Sequence, residues 1–239
     1  MKTSNKILLV AGTIPLVFVF ILAIVIRITA LNSESIHAFQ TESYALETRT
    51  VLLDGFKKIS TQGPFEINLV QGDEYLVEIS APGNIIDDII AEKRGDALFL
   101  DSSDKSKRLG GLKQIQASIT MPSISQIDMK GATTVSLSRF SIDSLSIRAE
   151  GMTDITGSKS TIHDLAFSGK GASNMELSSI PVTNADIECE GMFTIDLLMD
   201  GGVLSGDLRG PGKLSYEGDV SSNEIRAEGP FSKVVHRKM

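Results

Sequence analysis

The chain has 239 residues, of which 41% are apolar, and it carries a formal net charge of −7 with a pI of about 5.0. Nucleic-acid binding needs a basic surface, so this acidic balance predicts no nucleic-acid partner. The chain has one cysteine, Cys189, which excludes an internal disulfide. Cys189 falls at an inward position of a predicted strand, and this indicates a buried, unreactive thiol.

The first feature along the chain is an uncharged apolar run of 20 residues, 7–26. A helix of that length spans about 30 Å, the thickness of a bilayer core. Lys2 and Lys6 precede the run, which favours a cytoplasmic N-terminus over 1–6 and a transmembrane signal anchor over 7–27. The expected location is the cell membrane, with a single pass and with the remaining chain facing the periplasm or the cell surface. A cleavable signal peptide is the alternative, although its apolar region is usually shorter.

The residues after the apolar run divide into a polar spacer, 28–48, and a region of strands, 49–239. Alternating apolar and polar residues, as in 65–69, predict strands with one buried face. A charged loop, 101–111, interrupts them and either is simply solvated or meets an anionic partner. Its basic residues are Lys105, Lys107 and Arg108.

A glycine-led phrase returns six times in the second half of the chain, at spacings of 20, 20, 20, 19 and 19 residues. A fixed period of this size is typical of stacked structural repeats. The leading glycines, which we expect to mark structural corners, are Gly131, Gly151, Gly171, Gly191, Gly210 and Gly229.

The four residues before each glycine alternate between inward and outward positions, which predicts a strand in every repeat. A repeat of about 20 residues has no room for a helix between strands. We therefore predict an all-β fold, a parallel β-solenoid with about 20 residues per coil, preceded by one transmembrane helix. The inward residues are Ile127, Met129, Ile147, Ala149, Phe167, Gly169, Ile187, Cys189, Gly206, Leu208, Ile225 and Ala227.

The residue before each glycine is charged, and its sign alternates from one repeat to the next. Stacking at about 4.8 Å would bring opposite charges together, which supports the register of the strands. A charged face that binds a partner is the functional interpretation of the same pattern. Asp128 beside Arg148 and Asp207 beside Arg226 repeat it in part. We call the six residues the charge ladder: Lys130, Glu150, Lys170, Glu190, Arg209 and Glu228.

Residues with catalytic or metal-binding chemistry are few. His37, His163 and His236 lie far apart in the sequence, which argues against a metal cluster. No cofactor motif is present, so we predict no cofactor. Asp143 and Asp164 lie 21 residues apart and would stack near a corner. Paired carboxylates of this kind serve as acid and base in polysaccharide cleavage, but aspartate is also a common turn residue.

The segment 48–74 resembles the opening of a bacterial family named "putative auto-transporter adhesin, head GIN domain". The motif residues are a phenylalanine and an isoleucine, then Gly-Pro-Phe, then Gln-Gly-Asp. The resemblance covers roughly 48–235 and implies an exported, right-handed parallel β-helix with no known catalytic residues. The positions that carry the motif are Phe56, Ile59, Gly63, Pro64, Phe65, Gln71, Gly72 and Asp73.

Together these observations predict a non-catalytic, membrane-anchored envelope protein. Its exported β-solenoid would act as a surface for adhesion, for binding a surface protein or a glycan, or for self-association as a homo-oligomer. A β-helical carbohydrate-active enzyme and a structural spacer of the envelope are the alternatives.

Overall fold

The computed structural model describes residues 45–102, 115–229 and 231–237, all within one unit, Tyr44–Met239. In this part of the chain the regular structure is strand, apart from a short 3-10 helix, Ile86–Asp88. The strands are β1 Leu46–Val51, β2 Lys58–Gln62, β3 Phe65–Gln71, β4 Leu76–Pro82, β5 Ile90–Arg94, β6 Ala97–Asp101, β7 Ile115–Met121, β8 Gln126–Ser138, β9 Ser141–Ser158, β10 Thr161–Asp200, β11 Val203–Arg209, β12 Gly212–Asp219, β13 Ser222–Glu228 and β14 Ser232–His236.

The glycine-led repeats stack in parallel, each on the repeat 19 or 20 residues away. Gly151 of β9 pairs with Gly131 of β8 on one side and with Gly171 of β10 on the other. β10 then pairs with β11 and β12, β11 with β13, and β12 with β14. The sequence period therefore becomes the pairing register of these strands.

The N-terminal strands break this regularity, and the prediction of a right-handed parallel β-helix is wrong for the fold as a whole. The 14 strands of the described residues form one mixed sheet. β1 pairs antiparallel with β4, β4 with β7, and β5 with β6. One physical reason is the loop Gly95-Asp96, because a two-residue connection between strands closes a hairpin and forces antiparallel pairing.

The prediction of a single-pass membrane protein with a cytoplasmic N-terminus is also corrected. Within residues 45–102, 115–229 and 231–237, the structure has no helix long and apolar enough to cross a membrane. The segments predicted as cytoplasmic terminus and signal anchor, 1–6 and 7–27, lie outside the described residues. β1 begins at Leu46, inside the segment predicted as spacer.

The core is built from the inward residues of the stacked repeats. Ile127, Ile147, Phe167 and Ile187 occupy equivalent positions and are each at most 2% exposed. One repeat departs from the common isoleucine and places the larger Phe167 in this stack. Two residues later it carries Gly169, and a Cβ there would lie 2.8 Å from the ring of Phe167. The glycine thus makes room for the larger ring.

β2 and β3 join the stack from a distant part of the chain. Ile59 of β2 pairs with Ile127 of β8, and Phe65 of β3 pairs with Thr133. Between the two strands, Gly63 has a φ of +118° and lies directly beneath Gly131. Its Gly-Pro-Phe phrase, which the resemblance singled out, therefore continues the row of corner glycines.

Candidate functional site: a groove beside the corner glycines

The six corner glycines, which we call the glycine row, share one backbone conformation. Their φ values lie between +110° and +123°, a region that L-residues rarely adopt. Five of them stack closely on the preceding glycine, so that a Cβ on Gly171 would collide with the carbonyl oxygen of Gly151. At Gly229 a Cβ would meet nothing closer than 4.0 Å. The row fixes a corner whose flanking residues face solvent.

The residues that follow the glycine row form the apolar edge of a groove of about 690 Å³. Met152 and Met192 project from it with 68% and 61% of their surfaces exposed, and Phe231 at the end of the row is 70% exposed. Ala132 and Ala172 leave hollows on either side of Met152, with which both are in register. We call the full set the apolar row: Ala132, Met152, Ala172, Met192, Pro211 and Phe231.

The floor of the groove consists of small, buried hydroxyl residues. Thr133, Thr153 and Ser173 are at most 7% exposed. The hydroxyl of Thr153 donates to that of Ser173 over 3.3 Å. On the outer wall the Asn174 amide donates to the Asp154 carboxylate over 3.0 Å. These polar groups already bond to one another, so the groove offers mainly apolar contacts to a ligand.

The charge ladder lies on the other side of the glycine row. Lys130 and Glu150 form an ion pair at 3.5 Å, and Arg209 and Glu228 form one at 3.3 Å. Lys170 lies in register with Glu150. Within the described residues, neither Lys170 nor Glu190 has an ion-pair partner within 4.0 Å. The middle of the ladder is thus its unpaired part.

The two secondary charge pairs predicted from the sequence differ from each other. Arg148 contacts Asp128 at 3.4 Å. Asp207 is in register with Arg226 but approaches Arg209 instead, at 3.9 Å.

Replacement of Lys170 by glutamate places three acidic residues in consecutive repeats. We expect a small decrease in melting temperature at low ionic strength, because exposed like charges at this spacing repel weakly. The decrease should vanish at about 1 M salt, where the screening length is about 3 Å. Thermal unfolding followed by circular dichroism measures it. An unchanged melting temperature at low salt would show that the ladder contributes nothing to the register.

Asp143 and Asp164, the predicted carboxylate pair, do not occupy equivalent positions. Asp164 is in register with Ser144, so the two carboxylates are offset by one residue on an exposed corner. The Asn184 amide donates to Asp164 at 2.8 Å, and His163 approaches it at 3.1 Å. These contacts, first that of Asn184, hold the pKa of Asp164 below its usual value. A general acid in glycoside cleavage needs the opposite shift.

Cys189 is buried on the inward side of β10, and desolvation raises the pKa of its thiol to about 12. Because the thiolate is the nucleophile, this environment makes the side chain unreactive. We expect alkylation by iodoacetamide at pH 8 to be slow in the folded protein and to become fast in denaturant. Mass spectrometry of timed samples measures both rates. Equal rates would show that Cys189 is accessible in the native state.

The remaining predicted residues gather no further site. Among the described residues, no group of three histidine, cysteine or acidic side chains could hold a metal. His236 stacks on Tyr216 with ring centroids 4.6 Å apart, and its ring approaches the carbonyl of Gly218. His37 lies outside the described residues, as do the loop residues Lys105, Lys107 and Arg108.

Fold and groove together define an all-β binding domain built on stacked strands. The chain belongs to the family described as "Putative auto-transporter adhesin, head GIN domain", whose model matches residues 55–219. The resemblance noted in the sequence is thereby confirmed.

Solved structures share the architecture. A "putative adhesin" from Bacteroides fragilis is 22% identical, with a TM-score of 0.60, and the match covers 82% of this chain and 98% of that one. A "putative lipid binding protein" from Parabacteroides distasonis is 12% identical, with a TM-score of 0.48 and coverage of 82% and 98%. No functionally curated protein matches the chain. The family and these two structures are named as adhesins or as a lipid-binding protein and not as enzymes.

The sequence analysis overlooked the apolar row. It treated the residues after each glycine as part of a repeated phrase and did not ask which way they point. The signal was present, since a large apolar residue directly after a corner glycine cannot share the inward face with the residue that follows it. Met152 and Met192 alternate with Ala132 and Ala172, and this regularity distinguishes a surface from scattered exposure.

Proposed function

We propose that this protein is a non-catalytic binding protein of the adhesion type and that the groove beside the glycine row is its contact surface. The observation that carries the proposal is the alignment of Met152, Met192 and Phe231, all largely exposed, along one edge of the groove. An ordered row of exposed large apolar side chains is typical of an interaction site. Methionine is common at such sites because its side chain adapts to the partner.

Two further observations support binding over the alternatives. The carboxylate of Asp164 is held ionised by Asn184, which does not suit it to donate a proton to a leaving group. A spacer that only holds other parts apart would gain nothing from the exposed methionines. Membership in a family named for adhesins agrees with the binding role.

The experiment measures retention of beads that carry the full-length chain on three surfaces. These present octyl groups, a bacterial polysaccharide, or the same protein. We expect retention on the octyl and protein surfaces and little on the polysaccharide, because the groove supplies apolar contacts. The double variant Met152→Asp, Met192→Asp should reduce retention about tenfold, because both aspartates would be desolvated on contact.

Leu46→Asp is the matched control, because Leu46 is also 68% exposed but lies on β1, outside the groove. It should retain the beads as the unaltered protein does. Equal retention of the groove variant and the control would refute the groove as the contact surface. Release of reducing sugar from the polysaccharide would refute the non-catalytic assignment.

A further inference from the structure

The groove has a shape and a charge pattern that suit one particular partner. We propose that this partner is a second copy of the same chain, docked antiparallel about a two-fold axis between the repeats of Gly171 and Gly191. This inference rests on the proposed function and specifies what occupies the groove. We number the repeats one to six from Gly131 to Gly229, so that under this axis repeats three and four of one copy face four and three of the other.

The apolar row is self-complementary under this operation. Small and large residues alternate along it, so a two-fold axis between repeats places knobs against hollows. Met192 meets Ala172 of the second copy, and Phe231 meets Ala132. Met152 then lies against Pro211, beside which the groove floor is open at Gly212. The exposed side chains Met152, Met192 and Phe231 would all be covered.

The charge ladder obeys the same rule, because its sign also alternates from repeat to repeat. Arg209 faces Glu150 of the second copy, and Glu228 faces Lys130. At the axis itself, Lys170 faces Glu190 twice. These two are the ladder residues that, within the described part of the chain, have no ion-pair partner of their own. The unpaired charges of the monomer are therefore those that the axis brings together.

A parallel arrangement would do the reverse. Each repeat would face its own equivalent, with methionine against methionine and lysine against lysine. Like charges directly opposite each other are unfavourable, and they select against wrong pairings at interfaces. The period of two repeats thus favours the antiparallel arrangement for both rows at once.

The size of the contact predicts how strong the association is. Six repeats at about 4.8 Å extend about 24 Å, and a width of five residues adds about 16 Å. Such a face buries about 400 Å² per copy, roughly half of a standard interface. We therefore expect a weak dimer that becomes populated when many copies are held close together, as on a bead or a surface.

Disulfide cross-linking of the full-length chain tests the arrangement. All proteins carry Cys189→Ala, which removes the native thiol. One preparation carries Ala132→Cys and another carries Phe231→Cys with a tag of different size. After mixing and mild oxidation we expect a disulfide between the two, because the axis brings these positions together. Ala132→Cys alone should not link to itself, since its two copies would be about 24 Å apart and a disulfide needs Cα atoms within about 7 Å.

Leu46→Cys mixed with Phe231→Cys measures random collisions, and we expect about tenfold less product from it. A yield equal to this control, or efficient self-linking of Ala132→Cys, would overturn the proposal. In either case, loss of retention on the octyl surface by the methionine variant would still support the groove as a contact surface for another partner. Failure of the dimer and failure of the proposed function are therefore distinguishable.

Charge exchange gives a second readout in the same cross-linking background. Lys170→Glu and Glu190→Lys should each lower the yield, because each places like charges at the axis. The double exchange should restore it, since opposite charges meet again. Within each chain, however, the double exchange leaves like charges on neighbouring repeats, so it should not restore stability at low salt. Recovery of stability without recovery of the cross-link would overturn the proposed contact.

Discussion

Gly171→Ala is expected to lower the free energy of unfolding by about 3 kcal/mol or more. A φ of +114° is strained for alanine, which costs on the order of 1–3 kcal/mol. In addition, the new Cβ would collide with the carbonyl oxygen of Gly151, which the parallel register holds in place. Both effects act in the folded state. Urea denaturation of the full-length chain, followed by circular dichroism, measures the loss.

Gly95→Ala is the matched control. Gly95 also has a positive φ, +65°, but a Cβ there would meet no atom within 4 Å. This substitution carries the cost of a left-handed conformation alone, about 1 kcal/mol. If the two variants lose the same stability, the close stacking of the glycine row is not what excludes side chains from it.

Gly169→Ala and Phe167→Ile are expected to be destabilising separately and nearly neutral together. A Cβ on Gly169 would press against the Phe167 ring, and overpacking of this kind costs about 1–3 kcal/mol. Phe167→Ile alone leaves a gap beside the glycine, which also costs stability. The double variant recreates the Ile147 and Ala149 arrangement of the preceding repeat, in which both residues are buried.

A double-mutant cycle of unfolding free energies tests this interpretation. We expect a coupling of about 1–3 kcal/mol between the two positions, since they are in contact. Strictly additive effects would show that the Phe167 ring and Gly169 are tolerated independently. The cycle also tests the register of the strand itself, because the coupling requires both residues to face inward from β10.

The predictability of the fold follows the regularity of the sequence. The period of 20 residues anticipated the parallel pairing of Gly131, Gly151 and Gly171, because identical corners stack only in that register. It could not anticipate β4 or β5, which pair antiparallel and contain no repeated phrase. The Gly95-Asp96 loop carried the hairpin signal there, and the extrapolation of regular coils into 49–126 passed over it.

The candidate site was less predictable than the fold. The charge ladder was visible as alternating signs, but which of its members form ion pairs depends on side-chain reach and not on order in the sequence. The exposure of Met152 depends on the positive φ of Gly151, which turns the chain so that Thr153, and not Met152, points inward. A pattern of apolar residues alone predicts burial and therefore gives the wrong answer at this corner.

The insertion of β2 and β3 into the stack has a consequence for the order of folding. Neighbouring repeats close contacts 19 or 20 residues apart, whereas Gly63 must wait for Gly131, 68 residues further on. Longer closures cost more chain entropy and form more slowly. We therefore expect the later repeats to gain protection first in pulsed hydrogen exchange, and β2 and β3 afterwards. During synthesis the early strands emerge with their edges bare, so this segment is where a chaperone would act.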